Sequence, residues 1–203
     1  DCFDHPEFNL IAEFADLWDF YINHVCKQKN GHLVVKHSYG IDCEVRTLAE
    51  IAKFLDKKNT SSVQNIRDKT LKGFDEFLTC SHPQAGHWLA QQVCDQYLNL
   101  KQLIQNQYST HFVCTDEALQ RLYQQHFGYT LSMAYHTLLL EMLGYTSTPK
   151  KIKGFRAKTK PAWLKKDDSQ LYQNLILKCN MIFNHPIATE FFDLAITCKE
   201  YIT

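Results

Sequence analysis

The sequence predicts a mainly α protein built from two helix-turn-helix units, the second one winged, and a C-terminal helical pair. Three observations carry that prediction. Apolar residues recur at helical spacing through most of the 203 residues, the period that lines up one face of a helix. Two segments, 47–78 and 115–160, each join two amphipathic stretches through a polar or glycine-containing turn. Glycine and proline number only 7 and 5, and most of them fall between the periodic runs, where such residues punctuate structure.

The elements follow in order. Phe8, Ile11, Ala12, Ala15, Leu17, Trp18, Tyr21, Ile22 and Val25 trace an apolar stripe that predicts one helix over 6–29, ended by Asn30-Gly31. Residues 32–39 read as a short strand or a distorted helix, broken by Gly40. Helices are predicted over 47–55 and 60–78, and His82-Pro83 with Gly86 marks a break. A long helix follows over about 87–108. Thr115-Asp116-Glu117 is a helix start, because the threonine side chain can accept free backbone N–H groups. That helix runs to His126 and stops at Gly128; the next spans about Ser132 to Leu143 and stops at Gly144. Residues 145–168, with Pro149 and Pro161, read as an extended basic loop or wing. Helices over 168–184 and 186–201, split by His185-Pro186, close the chain. The expected divisions are 1–80, 81–166 and 167–203.

Composition narrows the function. Hydrophobic residues make up 45% and charged residues 22%, which excludes a collagen-like, low-complexity or wholly disordered chain. No run approaches the roughly 20 apolar residues that span a bilayer, so no membrane partner is expected; a cytoplasmic location is expected from cysteines that read as reduced. The start at Asp1-Cys2-Phe3 reads as a processed form, a trimmed form or a fragment. Lys plus Arg equal Asp plus Glu at 22 each, so net charge selects no partner. Its distribution is uneven. Residues 1–26 carry Asp1, Asp4, Glu7, Glu13, Asp16 and Asp19 and no Lys or Arg. Residues 150–166 carry Lys150, Lys151, Lys153, Arg156, Lys158, Lys160, Lys165 and Lys166 and no acid. Such a run suits a polyanion; a solvated linker has the same composition. Trp163 inside it reads as an anchor to the core.

Eight cysteines lack close pairing, and a chain long enough to bury its own core does not need a disulfide framework, so most read as small, reduced core residues. His24, Cys26, His32, His37 and Cys43 form one Cys/His-rich stretch, and Cys80, His82, His87 and Cys94 another. Neither contains a C-x-x-C or H-E-x-x-H pattern, so neither metal nor cofactor is expected. No spacing singles out a Cys–His pair for nucleophilic catalysis. The triplet Asn59-Thr60-Ser61 has the glycosylation pattern and falls in a predicted turn.

In the first helix-turn-helix, Leu48, Ile51, Ala52 and Leu55 form one face, Asp56-Lys57-Lys58-Asn59 the turn, and Val63, Ile66, Leu71, Phe74 and Leu78 the inward side of the second helix. Ser61, Ser62, Gln64, Asn65, Arg67 and Lys69 point outward. Amides pair bidentately with adenine, and arginine with guanine or phosphate. The run Tyr39-Gly40-Ile41-Asp42-Cys43-Glu44-Val45-Arg46-Thr47-Leu48-Ala49-Glu50-Ile51-Ala52, continued by Val63-Gln64-Asn65-Ile66-Arg67-Asp68-Lys69-Thr70-Leu71, resembles region 4 of bacterial primary sigma factors over 38–78. Asp56-Lys57 stands where that family has Gly-Val, and Gln64 where it has arginine. The resemblance implies that Arg46 and Thr47 contact phosphates and that the helix over 61–71 reads bases.

The second unit places Leu119, Leu122, Tyr123 and Phe127 on its first helix and Tyr135, Leu138, Leu139 and Leu143 on its second. With Gly128-Tyr129-Thr130-Leu131-Ser132 between them and Gly144-Tyr145 after, residues 116–160 resemble the winged helix-turn-helix of mariner-like and insertion-sequence transposases. The resemblance implies groove contacts from Ser132, Met133, His136 and Thr137, with the basic segment following the backbone. No spaced carboxylate triad accompanies it.

The reading is therefore a non-catalytic double-stranded DNA-binding protein, a transcription regulator or the DNA-binding part of a larger protein. Lys150 to Lys160 would supply phosphate contacts and the acidic N-terminal helix would lie away from DNA or cover the basic face. The alternatives are a helical protein-interaction module, adaptor or bacterial effector, with its partner on the C-terminal helices, and a Cys-dependent enzyme.

Overall fold

A computed structural model describes residues 3–81, 89–148 and 162–182. The expected last helix over 186–201 lies outside them. The chain is mainly helical and divides into two compact units, residues 1–100 with 123–143, and residues 101–122 with 144–203. The expected division after residue 80 falls inside the first unit.

In the first unit the chain forms α1 (Phe14–Phe20), a π-helical turn (Tyr21–Val25), α2 (Gly31–Tyr39), α3 (Leu48–Phe54), α4 (Thr60–Leu78) and the first half of α5 (Gln91–Thr110). It adds the last residues of α6 (Asp116–Phe127) and all of α7 (Met133–Met142). The predicted helix over 6–29 starts late because side chains take its backbone groups. Asn9 Oδ1 accepts from the N–H groups of Ile11 and Ala12 at 3.1 and 3.2 Å, an Asx-type turn that competes with helix. Gln96 on α5 accepts from Leu10 N–H at 2.9 Å and donates to Phe8 C=O at 3.0 Å, while Gln92 donates to the carbonyls of Phe3 and His5. The helix ends in the π turn, whose i→i+5 bond runs from Cys26 N–H to Tyr21 C=O at 2.8 Å. Residues 31–39 are a helix, not a strand. Val34 and Val35 favour strand by propensity, but both are fully buried on α2, and tertiary burial outweighs propensity.

The α2–α3–α4 group is a three-helix cluster around Val34, Ile51, Ala52 and Val63, flanked by Leu48, Leu55 and Ile66. Thr47 and Glu50 form a reciprocal capping box at the start of α3. At its end Asp56 takes the left-handed conformation, φ 51°, and Lys57 N–H reaches back to Ala52 C=O at 2.8 Å, closing the helix as a glycine would at lower conformational cost. Asn59 Oδ1 then accepts from Ser62 N–H at 2.9 Å and caps α4.

Beyond this cluster α4 meets an aromatic core. Phe74 packs edge-on to Trp18 and Phe14, with ring centroids 5.1 and 5.7 Å away, and Tyr21 lies 5.2 Å from it. Gly73 sits where Tyr21 crosses. A Cβ there would overlap the Tyr21 hydroxyl, which donates to Thr70 C=O at 3.2 Å. Replacing a mid-helix glycine by alanine normally stabilises by about 1 kcal/mol. Gly73→Ala should instead destabilise by about 1–3 kcal/mol through overpacking. In the Tyr21→Phe background, which lacks the hydroxyl, the same change should be near neutral. Urea unfolding of the four proteins of this cycle measures it.

A disulfide joins Cys80, just past α4, to Cys94 on α5, with Cα atoms 6.1 Å apart. Cys26, Cys43 and Cys114 are free, so most of the described cysteines are reduced as expected, and this pair is the exception among them. The helix ends come within bridging range, a proximity that a 14-residue separation does not signal.

The second unit holds the rest of α5 and α6, then β1 (Tyr145–Ser147), β2 (Trp163–Lys165), a 3₁₀ turn (Lys166–Asp168) and α8 (Ser169–Ile182). β1 and β2 pair antiparallel, with Ser147 opposite Trp163 and Tyr145 opposite Lys165, and Cys114 bridges to Trp163 on the other side. Thr115 Oγ1 accepts from Ala118 N–H at 3.2 Å, the predicted start of α6. Gly128 and Gly144, with φ of 77° and 87°, end α6 and α7 where predicted. No helix among the described residues is long and apolar enough to cross a membrane.

Candidate nucleic-acid interface

Ser61, Ser62, Gln64 and Asn65 are exposed on the first turns of α4. The cluster under Val63 fixes this orientation: Val63 is fully buried and Ile66 partly so, and the intervening positions turn outward. Asp68, Lys69 and Lys72 extend the exposed row. The Ser62 hydroxyl donates to Asn59 Oδ1 at 2.8 Å. Lys57 and Lys58 are exposed in the preceding turn, at the end of α4 where the helix dipole favours anions.

Arg67 departs from its expected outward role. Its side chain is 20% exposed, with Nε 3.5 Å from Asp68 and Nη1 4.0 Å from Glu141 on α7. Glu141 also accepts the Tyr39 hydroxyl at 2.6 Å. Burial, and then the Glu141 carboxylate, push the Tyr39 phenol far above its ordinary pKa. Arg67 thus ties α4 to α7, because position 67 lies next to the buried Ile66 edge rather than opposite it.

Arg46 is exposed and its guanidinium lies 5.2 Å from the centre of the Phe54 ring, a cation–π contact. The Thr47 hydroxyl donates to Glu50 at 2.8 Å, and Thr47 N–H donates to the same oxygen at 2.7 Å. These bonds hold the Glu50 carboxyl below its ordinary pKa, the backbone bond contributing most. A phosphate at Thr47 has to displace the cap's hydroxyl bond.

Ser132 and Met133 are exposed at the start of α7, Met133 by 55%, and Thr137 is half-buried. His136 is fully buried, its ring 5.6 Å from that of Tyr123. The expected groove contact from His136 is therefore corrected. Helix α7 carries apolar residues nearly all round, and Leu138, Leu139 and Leu140 are buried together, so no polar stripe marked its outward face.

Lys150, Lys151, Lys153, Arg156, Lys158 and Lys160 lie outside the described residues. The residues that bracket them are firmly held. Thr148 N–H donates to Ala162 C=O at 2.7 Å, and Ala162 N–H donates to Thr148 Oγ1 at 3.1 Å. Trp163 is buried; its indole N–H donates to Asp116 at 2.7 Å, and its carbonyl accepts the Tyr108 hydroxyl at 3.0 Å. It is an anchor, as its sequence position suggested. Lys165 and Lys166 are exposed just beyond it.

The acidic N-terminal segment contributes to the core of the first unit. Phe8, Leu10, Ile11, Phe14, Leu17, Trp18, Tyr21 and Val25 are all buried in the first unit.

The Cys/His-rich stretch over 24–43 yields one close pair that no spacing rule singled out. Cys43 Sγ lies 3.4 Å from His37 Nδ1 and 3.5 Å from Lys36 C=O. Gly40 and Asp42 make this approach possible, both turning the chain through the left-handed region with φ of 72° and 52°. Burial, followed by the charges of Arg46 and Lys36, lowers the His37 pKa below its ordinary value. No group of three or more His, Cys, Asp or Glu side chains that could hold a metal occurs among the described residues.

The chain matches no protein-family model, no curated protein and no solved structure.

Proposed function

We propose that the chain is a non-catalytic double-stranded DNA-binding protein, a transcription regulator or the DNA-binding part of a larger protein, acting in the cytoplasm. One observation carries the reading. The three-helix cluster leaves Ser61, Ser62, Gln64 and Asn65 in an outward row at the start of α4, a set of amides and hydroxyls suited to base edges in a major groove. Arg46, Lys57 and Lys58 supply cations beside it. The resemblance of residues 116–160 to a winged helix-turn-helix supports a second contact region. There Ser132 and Met133 contact the groove and the six bases from Lys150 to Lys160 the phosphate backbone.

Fluorescence anisotropy with a random duplex pool at two salt concentrations tests the reading. Binding should fall steeply with salt, in proportion to the phosphates neutralised. On a site selected from the pool, Gln64→Ala with Asn65→Ala should lose about 10- to 100-fold, matching roughly 1–3 kcal/mol per bidentate base contact. Changing the six bases to alanine should weaken binding to every sequence alike. Absence of binding at low salt overturns the proposal.

The second reading is a protein-interaction module. Val45 and Phe54, 68% and 55% exposed at the two ends of the α3 segment, favour it.

A further inference from the structure

We infer that Cys43 and His37 form a reactive thiol site that exchanges with small disulfides of the glutathione type. The inference goes beyond nucleic-acid binding and stands independently of it.

The geometry is that of a nucleophile beside a base. Cys43 Sγ is 3.4 Å from His37 Nδ1, within reach for passing the thiol proton to the ring. The His37 ring is fixed edge-on to Phe54, centroids 5.5 Å apart, and its residue carbonyl accepts Arg46 N–H at 2.8 Å. Burial, and then the charges of Arg46 and Lys36, favour the neutral imidazole, and its Nε2–H tautomer presents Nδ1 as the acceptor. Cys43 is half-buried, so an incoming disulfide can reach it. The charges of Lys36 and Arg46 are offset by the exposed Asp42 and Glu44 on either side of Cys43, so local charge does not select the sign of the ligand. Arg46 lies over the Phe54 ring that flanks His37, and Lys36 precedes His37 on α2.

The exchange balances. The Cys43 thiol proton passes to His37 Nδ1. The thiolate attacks one sulfur of the disulfide, the S–S bond breaks, and a Cys43 mixed disulfide forms as the second half leaves as a thiolate. That thiolate takes the proton from His37. Cys43 is oxidised and the departing sulfur is reduced. A dithiol reverses the exchange.

The other two described free cysteines provide internal references. Cys26 is half-buried, and Cys114 is buried with its pKa pushed up to about 11 by burial. The test treats the full chain with oxidised glutathione and follows each cysteine-containing peptide by mass spectrometry over time. Cys43 should form the mixed disulfide about tenfold faster than Cys26, with Cys114 slowest, as expected where a neighbouring imidazole takes the thiol proton during attack. His37→Gln should bring Cys43 down to the rate of Cys26, and an added dithiol should restore the free thiol. Equal rates at Cys43 and Cys26 in the unmodified protein overturn the inference without any variant being needed. So does an unchanged Cys43 rate in His37→Gln.

Discussion

Removal of residues 1–26 is expected to unfold the first unit. The segment supplies Phe14, Leu17, Trp18 and Tyr21 to the core, all at most 3% exposed. Burying one such side chain is worth roughly 1.5–3 kcal/mol, so losing all four costs about 6–12 kcal/mol, comparable with the roughly 5–15 kcal/mol that holds a whole domain together. Their loss would also strip α4 of the rings that pack on Phe74 and Phe77. Circular dichroism with thermal scanning should show the cooperative transition of the first unit gone. Trp18→Ala gives the graded form of the experiment, with an expected loss of about 3–5 kcal/mol. A truncated chain that melts like the full one would show that the segment is dispensable.

The second large effect is expected at Trp163. Trp163→Ala removes a buried ring from β2 and the donor that Asp116 accepts, and should cost about 3–5 kcal/mol. Trp163→Phe keeps the apolar bulk and loses the N–H, at about 1–3 kcal/mol for leaving a charged acceptor without that bond. The pair separates packing from hydrogen bonding. Chemical denaturation followed by Tyr108 and Tyr145, whose rings stack 4.4 Å apart beside β1, reads the second unit. Equal stability of the alanine variant and the parent would remove Trp163 from its anchoring role.

The helices that could be read from sequence were those whose ends carry their own chemistry. Helix α4 matches its expected span, 60–78, because Asn59 caps it and its stripe is unbroken. Thr115, Gly128 and Gly144 mark ends for equally local reasons. The early residues misled because Gln92 and Gln96, more than eighty positions away, take the backbone groups that a helix would have used. Residues 32–39 read as strand or helix because valine propensity and burial point to different elements, and burial decides for helix. At the candidate interface, the exposed amides of α4 followed from the buried spacing of Val63 and Ile66. Arg67 and His136 did not, since their partners Glu141 and Tyr123 belong to other helices. The Cys43–His37 pair depends on two left-handed residues, one of them an aspartate that no simple turn rule demands.

The Cys80–Cys94 bond makes a closed ring of the chain from residue 80 to residue 94. Backbone continuity and molecular continuity are therefore separate properties here. A single hydrolysed peptide bond inside that ring leaves the two halves one molecule, and only reduction parts them. Such a cut is invisible to size under oxidising conditions. The helices α4 and α5 keep a covalent tether through a nick that would sever an unbridged chain.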